Sequence, residues 1–211
     1  MPSRIAGVSD RVLKAARDEF IRVGYKDASI RKIARDADTS PRAIYTRFEN
    51  KEALFAAIVD PVYTEFMTLY KKEREEYWYK DHDADTERKP ENTYIKYLEF
   101  AYEHKDEFML LLTGAKGTAY GSFTDELAEC DIETVKKNVV GKIKNIYAYV
   151  YDEAAELFLE RITYDFYRDV FEPFIRGLDI ETAREYVTKL TRFYDTGILS
   201  GFDIDMFDKD T

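Results

Sequence analysis

Between residues 38 and 48 the chain reads DTSPRAIYTRF, which crowds Thr39, Ser40, Arg42, Tyr45, Thr46 and Arg47 into one short run. The chemistry these types can do is hydrogen bonding rather than bond breaking. Arg42 and Arg47 are cations, and a guanidinium at Arg42 has the fork geometry to meet guanine O6 and N7 with two parallel N–H bonds. The hydroxyls of Thr39, Ser40 and Thr46 are small donors and acceptors. Tyr45 and, a little further on, Lys51 can hold phosphate oxygens and so fix register without reading sequence. Ser29, one short helix earlier, offers a further hydroxyl.

These side chains need short helices to present them, and the flanking residues supply the signals. A first helix is expected from an N-cap at Ser9, with Val12, Leu13, Ala16, Phe20 and Val23 at helical spacing and Gly24 as its stop. Ser29 caps a second, whose inward stripe is Ile30, Ile33, Ala34 and Ala37. Asp38 and Thr39 make a tight turn. Ser40 caps a third helix, and Pro41 takes its first position, where a missing N–H costs nothing. Ala43, Ile44 and Phe48 then face inward and leave Arg42, Tyr45, Thr46 and Arg47 outside. Asn50 caps a fourth helix that begins at Lys51, with Leu54, Phe55 and Ile58 on its apolar side. Two short helices joined by so tight a turn form a helix-turn-helix, whose second member presents its N-terminal face to the major groove of DNA. A plain three-helix core with solvated arginines is the alternative.

The charge distribution agrees with a polyanion partner for this end only. The 211 residues carry a net charge of -10. Residues 1–55 hold 12 Lys+Arg against 8 Asp+Glu, and the remainder 20 against 34. A mildly basic head of residues 1–50 on an acidic body of residues 51–211 can still meet DNA, while the body suppresses indiscriminate binding. One cysteine, Cys130, cannot form an internal disulfide and fits a reducing cytoplasm. No apolar run is long enough to span a membrane, and MPSRIAGVSDR has no signal-type apolar stretch.

Residues 9–55 resemble the N-terminal domain of the TetR-type family of bacterial transcriptional regulators. The Gly24-Tyr25 turn, Ser29, Ile33-Ala34, Ser40, Ile44-Tyr45, Phe48 and Lys51-Glu52-Ala53-Leu54-Phe55 carry the likeness. The resemblance implies a homodimer with two DNA-reading heads on helical bodies that bind an effector. Asp38 departs from the glycine common in the turn, at modest cost because Asp tolerates the left-handed conformation. Pro41-Arg42 replaces a commoner Lys-Gly pair, which stiffens the helix start and adds a base reader.

The whole chain reads as all-α: proline and glycine are scarce and no strand-like alternation occurs. Helices are expected over roughly 51–80, 92–104, 105–114, 121–150, 152–176 and 180–200. Residues 80–92 read as a polar loop and 113–121 as a glycine-rich connection. Pro61 offers a place for the fourth helix to kink. Apolar stripes at Leu157, Phe158, Ile162, Phe166, Val170 and Phe174, and at Ala183, Val187, Leu190, Tyr194 and Ile198, mark two helices. Among these, Phe158, Ile162, Phe166, Val170, Leu190 and Tyr194 are the expected dimer contacts; internal core is the other use for them. The body is rich in aromatics. Trp78, Tyr97, Phe108, Phe123, Tyr147 and Tyr164 are candidate walls for a small molecule, aromatic or cationic, and equally ordinary core.

No catalytic set stands out. His82 and His104 are isolated. Asp81, Asp83 and Asp85 imitate a calcium loop, but Thr86 and Asn92 stand where it needs Gly and Glu. Gly114, Gly117 and Gly121 lack phosphate-loop spacing, Ser200 is one place late for a nucleophile elbow, and no Cys/His cluster has zinc spacing. No metal or cofactor is expected. The resemblance implies a ligand-responsive regulator, a repressor released from a palindromic operator by a small molecule. A constitutive DNA-binding factor sensing a protein partner, or a helical enzyme or carrier, are the alternatives.

Overall fold

The computed structural model describes residues 3–79, 90–137 and 152–201, and these are helical with no strand among them. The helices are α1 (Ser3–Asp27), α2 (Ile30–Asp36), α3 (Pro41–Tyr45), α4 (Lys51–Tyr79), α5 (Pro90–Glu103), α6 (Lys105–Met109), α7 (Phe123–Val135), α8 (Glu153–Val170), α9 (Glu172–Ile175) and α10 (Ile180–Gly201), with a π-helical turn at Leu110–Gly114 after α6. The expected all-α class holds. Residues 80–89 of the expected loop and 138–150 of the expected helix lie outside the described residues.

The chain forms two compact units. The first is Met1–Lys71 with Glu103–Phe123; the second is Lys72–Tyr102 with Thr124–Thr211. The chain of α4 therefore belongs to both. It carries Pro61 within one continuous helix.

In the first unit Val12, Ala16, Phe20, Ile33, Ala34, Ile44, Leu54, Phe55, Ile58 and Val59 are buried. These are the stripes that the apolar spacing defines, and they close one small core. Phe20 meets Phe55 edge-to-face at 5.1 Å, and Tyr25 meets Phe55 at 5.5 Å. α1 begins at Ser3, not at Ser9. A serine inside a helix costs only tenths of a kcal/mol, so it marks a start only when something else stops the helix. Gly24 does break α1, with φ of 75°. A Cβ there would stand 3.7 Å from the Gly114 carbonyl oxygen, ordinary contact, so it is the positive φ that calls for glycine.

The 103–123 segment joins this unit through polar and aromatic contacts. Arg17 pairs with Glu107 at 2.7 Å. The Ala119 N–H donates to Glu52 Oε1 at 3.2 Å, and Tyr120 OH donates to Asp60 Oδ1 at 3.0 Å. Burial and the Asp60 carboxylate push the Tyr120 hydroxyl up to about 12.

The second unit packs Tyr97, Leu98 and Ala101 of α5, Leu127, Ala128 and Ile132 of α7, Leu159, Phe166, Tyr167 and Val170 of α8, and Ala183 and Val187 of α10. An ion pair between Arg74 and Asp131 lies inside it, and Tyr167 OH donates to the second Asp131 oxygen at 3.1 Å.

Candidate nucleic-acid interface

The first unit builds its exposed polar face from three helix starts and one turn. At the start of α2 the Ser29 side chain accepts the Lys32 N–H at 3.4 Å; at the start of α3 the Ser40 side chain accepts the Ala43 N–H at 3.2 Å. Asn50 Oδ1 accepts the Ala53 N–H at 2.8 Å and starts α4. All three caps are the residues that local chemistry singles out. Each serine oxygen accepts while its O–H stays free to donate outward.

The turn between α2 and α3 is a Schellman motif. The Asp38 N–H donates to Arg35 O at 3.1 Å and the Thr39 N–H to Ala34 O at 2.9 Å. Its left-handed residue is Asp38, with φ of 50°, the only non-glycine at positive φ among the described residues. The turn delivers Ser40 and Pro41 to α3, and Ile44 anchors that helix by full burial.

With Ile44 inward, Ser40, Arg42, Tyr45, Thr46 and Arg47 are exposed, as is Ser29; Thr39 and Pro41 are half-buried. Arg42 and Tyr45 have no side-chain partner among the described residues, and Tyr45 is 49% exposed. Thr46 donates its hydroxyl to Arg42 O at 2.8 Å and Arg47 Nη1 donates to Ala43 O at 3.0 Å. Both therefore serve α3 itself in part. Arg31, exposed on α2 beyond Ser29 and likewise unpaired among the described residues, escaped the motif reading because a lone arginine between apolar positions carries no signal.

Beneath this face lies a buried carboxylate. Glu19 is 2% exposed. It accepts from Arg22 Nη2 at 2.8 Å, pairs with Lys32 Nζ at 3.3 Å, and accepts the Ser29 N–H at 3.4 Å. Burial works against its charge, but the bonds from Arg22, Lys32 and Ser29 outweigh it and hold the carboxyl below the usual glutamate range. Glu19 thus fixes the start of α2 to α1. Lys51 is half-buried rather than splayed outward, with its Nζ on the carbonyls of Lys26 and Ala28.

The model of the family described as bacterial regulatory proteins, tetR family, matches residues 12–58. Residues 12–58 of this chain therefore match a tetR-family regulatory domain. The matched residues run from the middle of α1 into α4 and include the whole α2–turn–α3 face.

Solved structures extend the likeness in fold beyond the matched head. A TerR/AcrR-family transcriptional regulator from Aquifex aeolicus VF5 covers 88% of this chain and 98% of its own at 18% identity, with a TM-score of 0.55. A TetR-like regulator from Rhodococcus sp. RHA1 covers 90% and 96% at 18% identity, TM-score 0.55. A tetR-family regulator from Streptomyces coelicolor covers 94% and 83% at 17% identity, TM-score 0.50. No curated protein matches the chain. A DNA-binding helix-turn-helix is what the tetR-type head carries.

The remaining expected site residues fall in different places. Phe108 and Phe123 are buried in the first unit, 5.6 Å apart and each edge-on to Phe66. Tyr97 and Tyr164 are in the second: Tyr97 is fully buried, and Tyr164 OH donates to Glu129 at 3.3 Å. Tyr147 and the side chain of Trp78 lie outside the described residues. On α8 and α10, Phe166 and Val170 are already buried within the unit, whereas Phe158, Ile162, Leu190 and Tyr194 are half-buried. Leu157 and Phe193 are 67% and 72% exposed. Phe193 falls outside the stripe because its neighbour Tyr194 occupies the inward position, 5.0 Å from Phe166. Among the described residues no group of His, Cys, Asp and Glu could hold a metal ion, and no helix is long and apolar enough to cross a membrane.

Proposed function

We propose that this chain is a ligand-responsive transcriptional repressor of the tetR family that binds a palindromic operator as a homodimer and leaves it when a small molecule occupies the second unit. The observation that carries the reading is the pairing of Arg42 and Tyr45 on α3: both exposed, both without a side-chain partner among the described residues. In this reading Arg42 reads a guanine, and Tyr45, Thr39, Ser40, Thr46, Arg47 and Ser29 hold backbone phosphates and fix register. Pro41 stiffens the start of the helix that carries them.

The homodimer is supported by the exposed apolar side chains Leu157 and Phe193, with Phe158, Ile162, Leu190 and Tyr194 half-covered beside them. Large apolar groups left in water on two neighbouring helices favour burial against a second copy. Two copies also meet the geometry of two half-sites one helical turn apart. Release by effector is a population shift, in which ligand and operator favour different states. The coupling is reciprocal, so operator must weaken effector binding by the same factor.

Selection of bound duplexes from randomised DNA, followed by sequencing, tests the reading. An enriched motif with two inverted half-sites is the expected result. No enriched sequence at moderate salt would overturn it.

A further inference from the structure

Arg11 lies on α1, outside the helix-turn-helix, and is exposed. Its Nε donates to the carbonyl oxygen of Ala37 at 3.3 Å. Ala37 is the C-terminal cap of α2 and stands directly before Asp38, the left-handed corner of the turn that delivers α3. The guanidinium of a residue far back in the chain is therefore anchored beside the turn that carries Thr39 and Ser40.

The anchor uses one N–H of a guanidinium that has several. Those on Nη1 and Nη2 have no partner among the described residues. Two exposed carboxylates are close in the chain, Asp10 next to Arg11 and Asp38 next to Ala37, and neither pairs with it. Other exposed arginines of the same unit do find such partners, Arg22 on Glu19 and Arg35 on Asp36. A surface arginine held only by its own stem loses rotamer freedom when it takes up an anion. One already fixed through Nε loses less. The edge left open, between Nη1 and Nη2, is a planar pair of donors that matches two oxygens of a phosphate. A base edge is out of keeping with its position, since the helix that the turn presents to the groove is α3, not α1. The backbone oxygens along the rim of the groove are the ligand that suits a cation on a neighbouring helix.

We infer that Arg11 is a phosphate ligand, a contact from α1 to the DNA backbone that the Ala37 carbonyl orients. The inference rests on the DNA-reading assignment above. It widens the footprint of each head. Arg31 lies in the first turn of α2 and Arg11 is held at the other end of that helix, so a cation without a side-chain partner stands at each end.

A guanidinium that only capped α2 would serve the fold alone, and the salt dependence of binding separates the two roles. Arg11→Gln keeps an N–H for Ala37 O and removes the charge. Arg11→Lys keeps the charge and loses the fork. Both are compared with wild type on the duplex that wild-type protein selects from randomised DNA, between about 50 and 200 mM salt and well below the unfolding temperature of each variant. Arg11→Gln should make the fall of log K with log salt shallower by about 0.9 for each copy of the chain on the site. It should also weaken binding by the same factor on every single-base variant of that site, with the selected motif unchanged. Arg11→Lys should keep the wild-type slope. An unchanged slope in Arg11→Gln would overturn the inference and leave Arg11 a cap on α2. An altered motif would overturn it as well, by making Arg11 a base reader. Failure of wild-type protein to select any sequence would sink the regulator reading and this inference with it, whereas a clear wild-type motif with an unchanged Arg11→Gln slope sinks the Arg11 contact alone.

Discussion

The two units differ in which of their polar groups stay unpaired. In the second unit many tyrosine hydroxyls and cations are spent internally, although the exposed Arg192 has no partner among the described residues. Tyr164, Tyr167 and Tyr194 donate to Glu129, Asp131 and Asp169. Arg74, Lys96, Lys136, Arg168 and Arg184 pair with carboxylates. Burial and Asp169 push the Tyr194 hydroxyl up to about 12. The first unit pairs Arg17, Arg22, Lys32 and the exposed Arg35 with carboxylates, and leaves Arg42, Tyr45 and Arg31 without side-chain partners among the described residues. An unspent guanidinium on a helix that has just been delivered by a tight turn is a group kept for something outside the chain. The difference supports α3 as the place of the proposed DNA contact, and the paired polar groups of the second unit serve its fold.

Substitutions that should break the contrast rank by how much buried charge they expose. Asp131→Ala has the largest expected effect. It removes the buried carboxylate that Arg74 and Tyr167 share, so the urea midpoint should fall by the equivalent of about 3–5 kcal/mol. A loss below about 1 kcal/mol would mean that the pair is already solvated.

Glu19→Gln is the matching change under the head, expected to cost about 1–3 kcal/mol because two cations and the Ser29 amide lose a charged acceptor. Its pH signature has a definite sign. The folded carboxyl titrates below the ordinary glutamate value. Its contribution is therefore complete above that value and is lost as pH falls through the folded one. Between about pH 5 and pH 3 wild type should lose more stability than Glu19→Gln, and parallel profiles would show that Glu19 gains nothing from its partners.

Asp38→Val is smaller. A β-branched residue at the left-handed corner of the α2–α3 turn should cost about 1–2 kcal/mol in thermal unfolding. Arg42→Ala is smallest of all on stability, within about 0.5 kcal/mol, since an exposed unpaired side chain contributes nothing to the fold. Its whole effect should appear on DNA.

Much of the head was legible because its decisive features are local. Ser29, Ser40, Asn50 and Pro41 act on amides three residues away or less, and Asp38 on its own backbone, so residue type alone foretells them. Ile33, Ile44 and Phe55 follow from helical spacing. What was not legible depends on pairs far apart in the chain. The return of 103–123 to the first unit, through Arg17–Glu107 and Tyr120–Asp60, has no periodic signature. Glu19 and Lys51 look like ordinary charged positions of amphipathic helices until ten and twenty-odd residues of chain fold back on them. The π-helical turn at Leu110–Gly114 is likewise invisible to spacing, since one extra residue per turn leaves the apolar composition unchanged. In the second unit aromatic residues serve core, surface and pocket walls alike, which is why the stripe picked Phe166 and Val170, both already covered, and passed over Phe193.

The central claim is that Arg42 reads a base while its neighbours hold the backbone. The direct measurement is the motif that Arg42→Ala selects from randomised duplexes beside the motif that wild type selects. Loss of preference at one position in each half-site, at a cost of about 1–3 kcal/mol on that base pair and none elsewhere, is the predicted result. An identical motif would contradict it and would assign Arg42 to the phosphates.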